Sequence, residues 1–150
     1  MPTLIDPRGA RVAAAFTSLV LAVVLLTAPG PVSTALLAVQ TAVFAVGALA
    51  GVQHTPYSLL FRTLVRPRLG PPAELEDAAP PRFAQAVGLA FALVGLTAVL
   101  AGFTTVGLVA VGLALVAALL NAAVGLCLGC ELYLLIKRVV PGARTSVATN

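Results

Sequence analysis

The chain has 150 residues, 60% of them hydrophobic and only 9% charged, with nine basic and five acidic side chains for a net charge of +4. A soluble domain carries roughly 25% charged residues, so this chain has too little polar surface to cover a soluble core. That excludes a soluble enzyme, a disordered tail and a disulfide-stapled secreted module, argues against a nucleic-acid binder despite the positive charge, and leaves an integral membrane protein.

The N-terminal arm carries Asp6-Pro7-Arg8 and Arg11, and then charge stops. Residues 12–61 contain no Asp, Glu, Lys or Arg. About 20 apolar residues cross the hydrocarbon core, so this tract is long enough for two spans. Ala28-Pro29-Gly30-Pro31 breaks it near the middle, with two helix-stopping prolines around a turn glycine. The expected spans are about 12–28 and 32–53, and they must be helices because backbone groups in lipid bond within their own segment. A cleaved signal peptide is the competing reading of the first span, but Pro29 and Pro31 crowd the cleavage region.

The central cytoplasmic loop, 54–82, opens on His54-Thr55-Pro56. Tyr57, Leu60, Phe61, Leu64 and Val65 then share one face, with Arg62 and Arg66 beside them. That pattern fits a short interfacial helix on the leaflet surface. Arg66-Pro67-Arg68-Leu69-Gly70-Pro71-Pro72 forbids regular helix, and Glu74-Leu75-Glu76-Asp77 is an acidic run beside the arginines. The loop reads as a solvated linker or as a docking surface for a soluble partner.

After Arg82 the chain is again uncharged from Phe83 to Cys130, with a weaker break at Ala101-Gly102-Phe103. The expected spans are about 83–101 and 106–136. The last, at 31 residues, would run roughly 46 Å, so it must tilt, project or break, with Asn121 and Gly125 as the places for a break. Gly47-x-x-x-Gly51 and Gly125-x-x-x-Gly129 let helices approach closely, either inside the bundle or in a homo-oligomer. Arg11-Val12-Ala13-Ala14-Ala15 and Arg82-Phe83-Ala84-Gln85-Ala86 open the two halves alike, a hint of parallel duplication about an axis along the membrane normal. On that reading His54 stands opposite the Cys127 region.

The nine basic residues sort cleanly. Arg8 and Arg11 precede the first span, Arg62, Arg66, Arg68 and Arg82 lie in the central loop, and Lys137, Arg138 and Arg144 follow the last span. The two inter-span turns hold none. The positive-inside rule places both termini and the loop in the cytoplasm. The fold expected is therefore an all-α membrane protein, with four transmembrane helices as two hairpins, N-in and C-in. The arginines Arg62, Arg66, Arg68 and Arg82 face lipid head groups or a partner.

The only cysteines, Cys127 and Cys130, stand at C-x-x-C spacing. On a continuous helix, i and i+3 share a face, which suits a dithiol that exchanges electrons or sulfur. A mid-helix apolar setting and the adjacent Glu131 argue against the thiolate. Structural packing as small apolar side chains, a metal site needing further ligands and lipidation are the other readings. Glu131, His54 and Asn121 are candidate supporting residues, since ionisable and polar groups in a bundle are functional hypotheses. No cofactor is implied, and no metal-ligand set, nucleophile–base pair or phosphate loop appears.

The stretches Asp6-Pro7-Arg8-Gly9-Ala10-Arg11, Arg66-Pro67-Arg68-Leu69-Gly70 with Pro80-Pro81-Arg82-Phe83-Ala84, and Cys127-Leu128-Gly129-Cys130-Glu131-Leu132-Tyr133 resemble the DUF4395 family of small bacterial membrane proteins. The resemblance covers nearly the whole chain. It implies a four-helix membrane fold similar in outline to DoxX-like proteins, a group linked to thiol and sulfur redox, and it brings no catalytic residues. The function expected is a cytoplasm-facing membrane dithiol working with a soluble thioredoxin-like or sulfurtransferase-like partner. The alternative is a non-catalytic membrane anchor or assembly protein.

Overall fold

The computed structural model describes residues 1–140; Arg144, counted above among the cytoplasmic charges, lies outside them. Its framework is helical: α1 (Pro7–Thr27), α2 (Pro31–Leu49), the short α3 (Pro56–Leu60), α4 (Ala79–Leu100), α5 (Thr104–Val124) and α6 (Leu128–Val139). Two short strands, β1 (Leu4–Ile5) and β2 (Glu76–Asp77), pair antiparallel. Four helices, α1, α2, α4 and α5, are long and apolar enough to cross a membrane.

The long helices start where local chemistry starts them. Asp6 caps α1, its carboxylate accepting from the Arg8 N–H at 3.0 Å, and Pro7 fits the first turn because that position needs no N–H donor. Helices α1 and α4 begin at Pro7 and Ala79, five and four residues before the expected spans, so Arg11 and Arg82 lie inside the helices near their starts. Helix α2 stops at Leu49, short of Gln53, because Gly51 takes φ 112°, a conformation that favours glycine. The region from Tyr57 to Val65 is helical as expected, α3 passing into a widened turn over Phe61–Val65 and a tight one over Arg66–Arg68.

The largest difference lies in the fourth span. The expected single helix over 106–136 is two helices. Helix α5 ends at Val124, Gly125 adopts the left-handed conformation at φ 73°, and α6 starts afresh at Leu128. A 31-residue helix overruns the bilayer, and a glycine at this position supplies the stop.

Helix α1 packs on α2 and α5, and α4 packs on α2 and α5, so the four form a closed ring in the order α1, α2, α4, α5. The core between them is Leu21, Val24, Leu37, Phe44, Ala92, Val111 and Ala114. Outward-facing residues are also apolar: Leu26, Val39, Leu93, Val109 and Leu113 are all exposed. A soluble protein would not leave such a surface bare, and lipid is the solvent it suits. Glycines set the helix spacing. A Cβ on Gly107 would lie 2.8 Å from the Gly95 carbonyl, so α4 and α5 touch backbone to backbone. Gly47 faces Gln85 of α4 in the same chain, while Gly51 lies beyond the end of α2. Gly125 and Gly129 fall on either side of the break. Neither glycine pair forms a continuous face on one helix.

The two halves repeat each other. In each, an aspartate just before the first helix accepts from a backbone N–H two residues on: Asp77 from Ala79 at 3.0 Å, as Asp6 does from Arg8, 71 residues earlier. In each, the second helix ends near a glycine of positive φ, Gly51 or Gly125. In each, a further helix follows and packs on the first helix of its own half, α3 on α1 and α6 on α4. Counted from their caps, Thr55 and Cys127, the second and sixth residues make that contact. Tyr57 stacks on Phe16 and the Phe61 ring meets Gly9, while Gly129 meets Ala84 and Tyr133 packs on Phe83. Ile5 pairs with Glu76, its own counterpart 71 residues on, as a two-fold axis between β1 and β2 requires.

Candidate functional site

Arg11 and Arg82 define one end of the ring. The Arg82 guanidinium, in the first turn of α4, donates to the carbonyls of Ala48 and Leu49 at 2.7 and 2.8 Å, the exposed end of α2. Arg11, near the start of α1, donates to the carbonyls of Ala122 and Ala123 at 3.4 and 3.3 Å, the end of α5. Each cation satisfies carbonyls that a helix leaves unpaired and opposes the negative end of its dipole. Both bonds cross between halves. Arg82, expected to face lipid or a partner, is thus engaged by α2. Arg62, Arg66 and Arg68 are exposed at the same end; Arg68 bonds the Leu64 carbonyl at 3.1 Å.

The cysteines lie at this end too. Cys127 is not mid-helix, as a continuous fourth span would make it, but the residue that caps α6. Its Sγ accepts from the Cys130 N–H at 3.3 Å. The two sulfurs are in bonding contact as a disulfide, with Cα atoms 5.2 Å apart, inside the usual range for such a bridge. Both residues are part-exposed. The break at Gly125 therefore moves Cys127 from the expected mid-helix setting to a helix N-terminus. There the Cys130 N–H points at the Cys127 sulfur, one of the donors that a helix N-terminus leaves unpaired. Gly129, between the cysteines, has no room for a side chain: a Cβ there would lie 2.6 Å from Ala84 Cα. That close approach seats the bridged turn on α4.

The supporting candidates are not drawn together. Glu131 is exposed in the first turn of α6, and Lys137 stands over the Tyr133 ring at 5.0 Å. His54 is exposed, and its Nδ1 is 2.9 Å from the Ala50 carbonyl. Asn121 is half-buried, its carbonyl accepting from the Gly125 N–H at the end of α5. Among the described residues no three His, Cys, Asp or Glu side chains gather as a metal site would need.

A polar pair inside the first half escaped the sequence reading. Gln40, fully buried in α2, accepts at Oε1 from the Tyr57 hydroxyl at 2.6 Å. Its Nε2 has no partner among the described residues. Burial pushes the Tyr57 phenol above its ordinary value. A lone Gln in an apolar run was the available signal, since a buried amide needs a partner.

A search of curated proteins and a search of solved structures each return no match to the chain. A family model described as a domain of unknown function, DUF4395, matches residues 5–138, which takes in all four long helices, the central segment and the cysteine turn. The chain therefore belongs to the DUF4395 family.

Proposed function

We propose that the chain is a bacterial inner-membrane protein whose termini and central segment face the cytoplasm, and that Cys127 and Cys130 are a redox dithiol serving a soluble thioredoxin-like partner. The orientation rests on the one-sided basic residues. The redox reading rests on one observation: Cys127 caps α6, part-exposed, with Cys130 one turn on and its sulfur in bonding contact. A persistent structural disulfide is uncommon on the reducing side of a membrane, where cysteine pairs are transient and catalytic.

In the reduced state the Cys127 thiolate attacks a partner disulfide. A mixed disulfide forms and one partner thiolate leaves. The Cys130 thiol, losing its proton, then attacks the Cys127 sulfur, closing the intramolecular bridge and releasing the second partner thiolate. Two electrons pass to the partner, whose two sulfurs end as thiols. The test is thiol alkylation in intact membranes. A paired mass shift that appears with a reducing dithiol and vanishes with an oxidant supports the reading. Cysteines that stay inert under reductant until the protein is denatured overturn it and leave the non-catalytic anchor.

A further inference from the structure

Separating α6 from α5 frees a helix whose apolar stripe has no partner among the described residues. Leu128, Leu132, Leu135 and Val139 recur at steps of four, three and four, and so line one face. They are 43%, 43%, 57% and 72% exposed. The neighbouring edge, Gly129 and Tyr133, is occupied by Ala84 and Phe83 of α4. Glu131 and Arg138 flank the stripe on its other side, and Lys137 lies opposite.

Three observations say what covers the stripe. Helix α6 begins at the level where Arg11 and Arg82 cap the ends of α5 and α2, which is where the apolar ring stops. Its crossing geometry keeps it there: Gly129 meets Ala84 and Tyr133 meets Phe83, so about 6 Å of travel along α6 matches about 1.5 Å along α4. Helix α6 thus crosses the start of α4 rather than following it, and among the described residues it otherwise touches the ring mainly through a few contacts on α5. Finally, its last turn is basic, with Lys137 and Arg138, at the end of the molecule that also gathers Arg62, Arg66 and Arg68.

From this we infer that α6 is a lipid-binding helix lying in the head-group layer, with the Leu128–Val139 stripe in the acyl boundary and Lys137 and Arg138 against anionic head groups. The occupant is the leaflet itself. The inference rests on the four apolar helices spanning a bilayer and not on the redox reading.

The chain contains no Trp, so a single introduced indole reports its own surroundings. Leu135→Trp on the stripe and Lys137→Trp opposite it are each reconstituted as full chains in phosphatidylcholine vesicles, with and without phosphatidylglycerol. Acyl-brominated lipid is the quencher. The expected result is blue-shifted emission from Leu135→Trp that loses most of its intensity to brominated lipid, with Lys137→Trp far less quenched. Doubling Lys137 and Arg138 to Gln should weaken the Leu135→Trp quenching most in the vesicles containing phosphatidylglycerol. A blue-shifted but unquenched indole, the signature of a second copy on the stripe, overturns the inference. So does a red-shifted, unquenched one, the signature of a face kept in water for a soluble partner. Leu132→Trp repeats the stripe measurement should Leu135→Trp fail to reconstitute.

Discussion

At the scale of single residues, arginine and aspartate carry more of the architecture than the apolar majority suggests. Arg82→Ala should cost about 1 kcal/mol in detergent melts, since it strips two short bonds from the end of α2. Arg11→Ala should cost less, because its bonds are longer. Asp6 gives the fold a dependence on acid. The Arg8 side chain, first of all, holds the carboxyl below the ordinary carboxylate range, against an opposing effect of burial. A depressed folded value makes this contribution complete above about pH 4 and lost as pH falls through the folded value. Asp6→Asn should flatten the stability profile in that acid range and leave melting at pH 7 lower than wild type. None of these partnerships is legible from composition. Arg82 and Ala48 are 34 residues apart and Arg11 and Ala122 are 111 apart, and the charges read only as topology signals until the helices are assembled.

At the scale of elements, the four long helices were plain in the sequence, because uncharged tracts broken by Pro29 and Gly102 admit few other readings. The end of the fourth was not, since Leu126-Cys127-Leu128 continues an apolar run and no proline interrupts it. Gly125 was the visible clue, and its φ of 73° is the reason. Gly125→Ala should cost about 1 kcal/mol, the ordinary penalty for a Cβ in the left-handed region. The cap gives a sharper discrimination. Cys127→Ser removes the bridge but keeps a good capping group, whereas Cys127→Ala removes both, so the alanine should melt lower by about 1 kcal/mol. Gly129→Ala should pry α6 from Ala84 and cost about 1–3 kcal/mol, with hydrogen exchange rising across α6. Gly112→Ala is the control, because nothing lies within 4 Å of a Cβ there.

At the scale of the whole molecule, the ring is held mostly by contacts between halves: α1 on α5, α2 on α4, β1 on β2, and both arginine bonds. Chains cut within the exposed Leu69–Ala73 segment should therefore reassemble when coexpressed, while either half alone should be degraded or aggregate. Co-purification of differently tagged halves checks this, and recovery of a stable lone half would contradict it.

The same symmetry bears on how such a chain comes to exist. A polypeptide half as long, paired with a second copy about the same axis, would satisfy equivalent caps, an equivalent strand pair and an equivalent helix ring. Two identical subunits, however, must carry identical turns. Joining them in one gene removes that obligation. The turn before α3 is closed by Thr55 and Ser58 hydroxyls, which bond the Val52 carbonyl and answer to no oxidant. The corresponding turn before α6 is closed by two sulfurs. A fused pair can thus close one turn with hydroxyls and the other with sulfurs, a difference that a homodimer of the half could not carry.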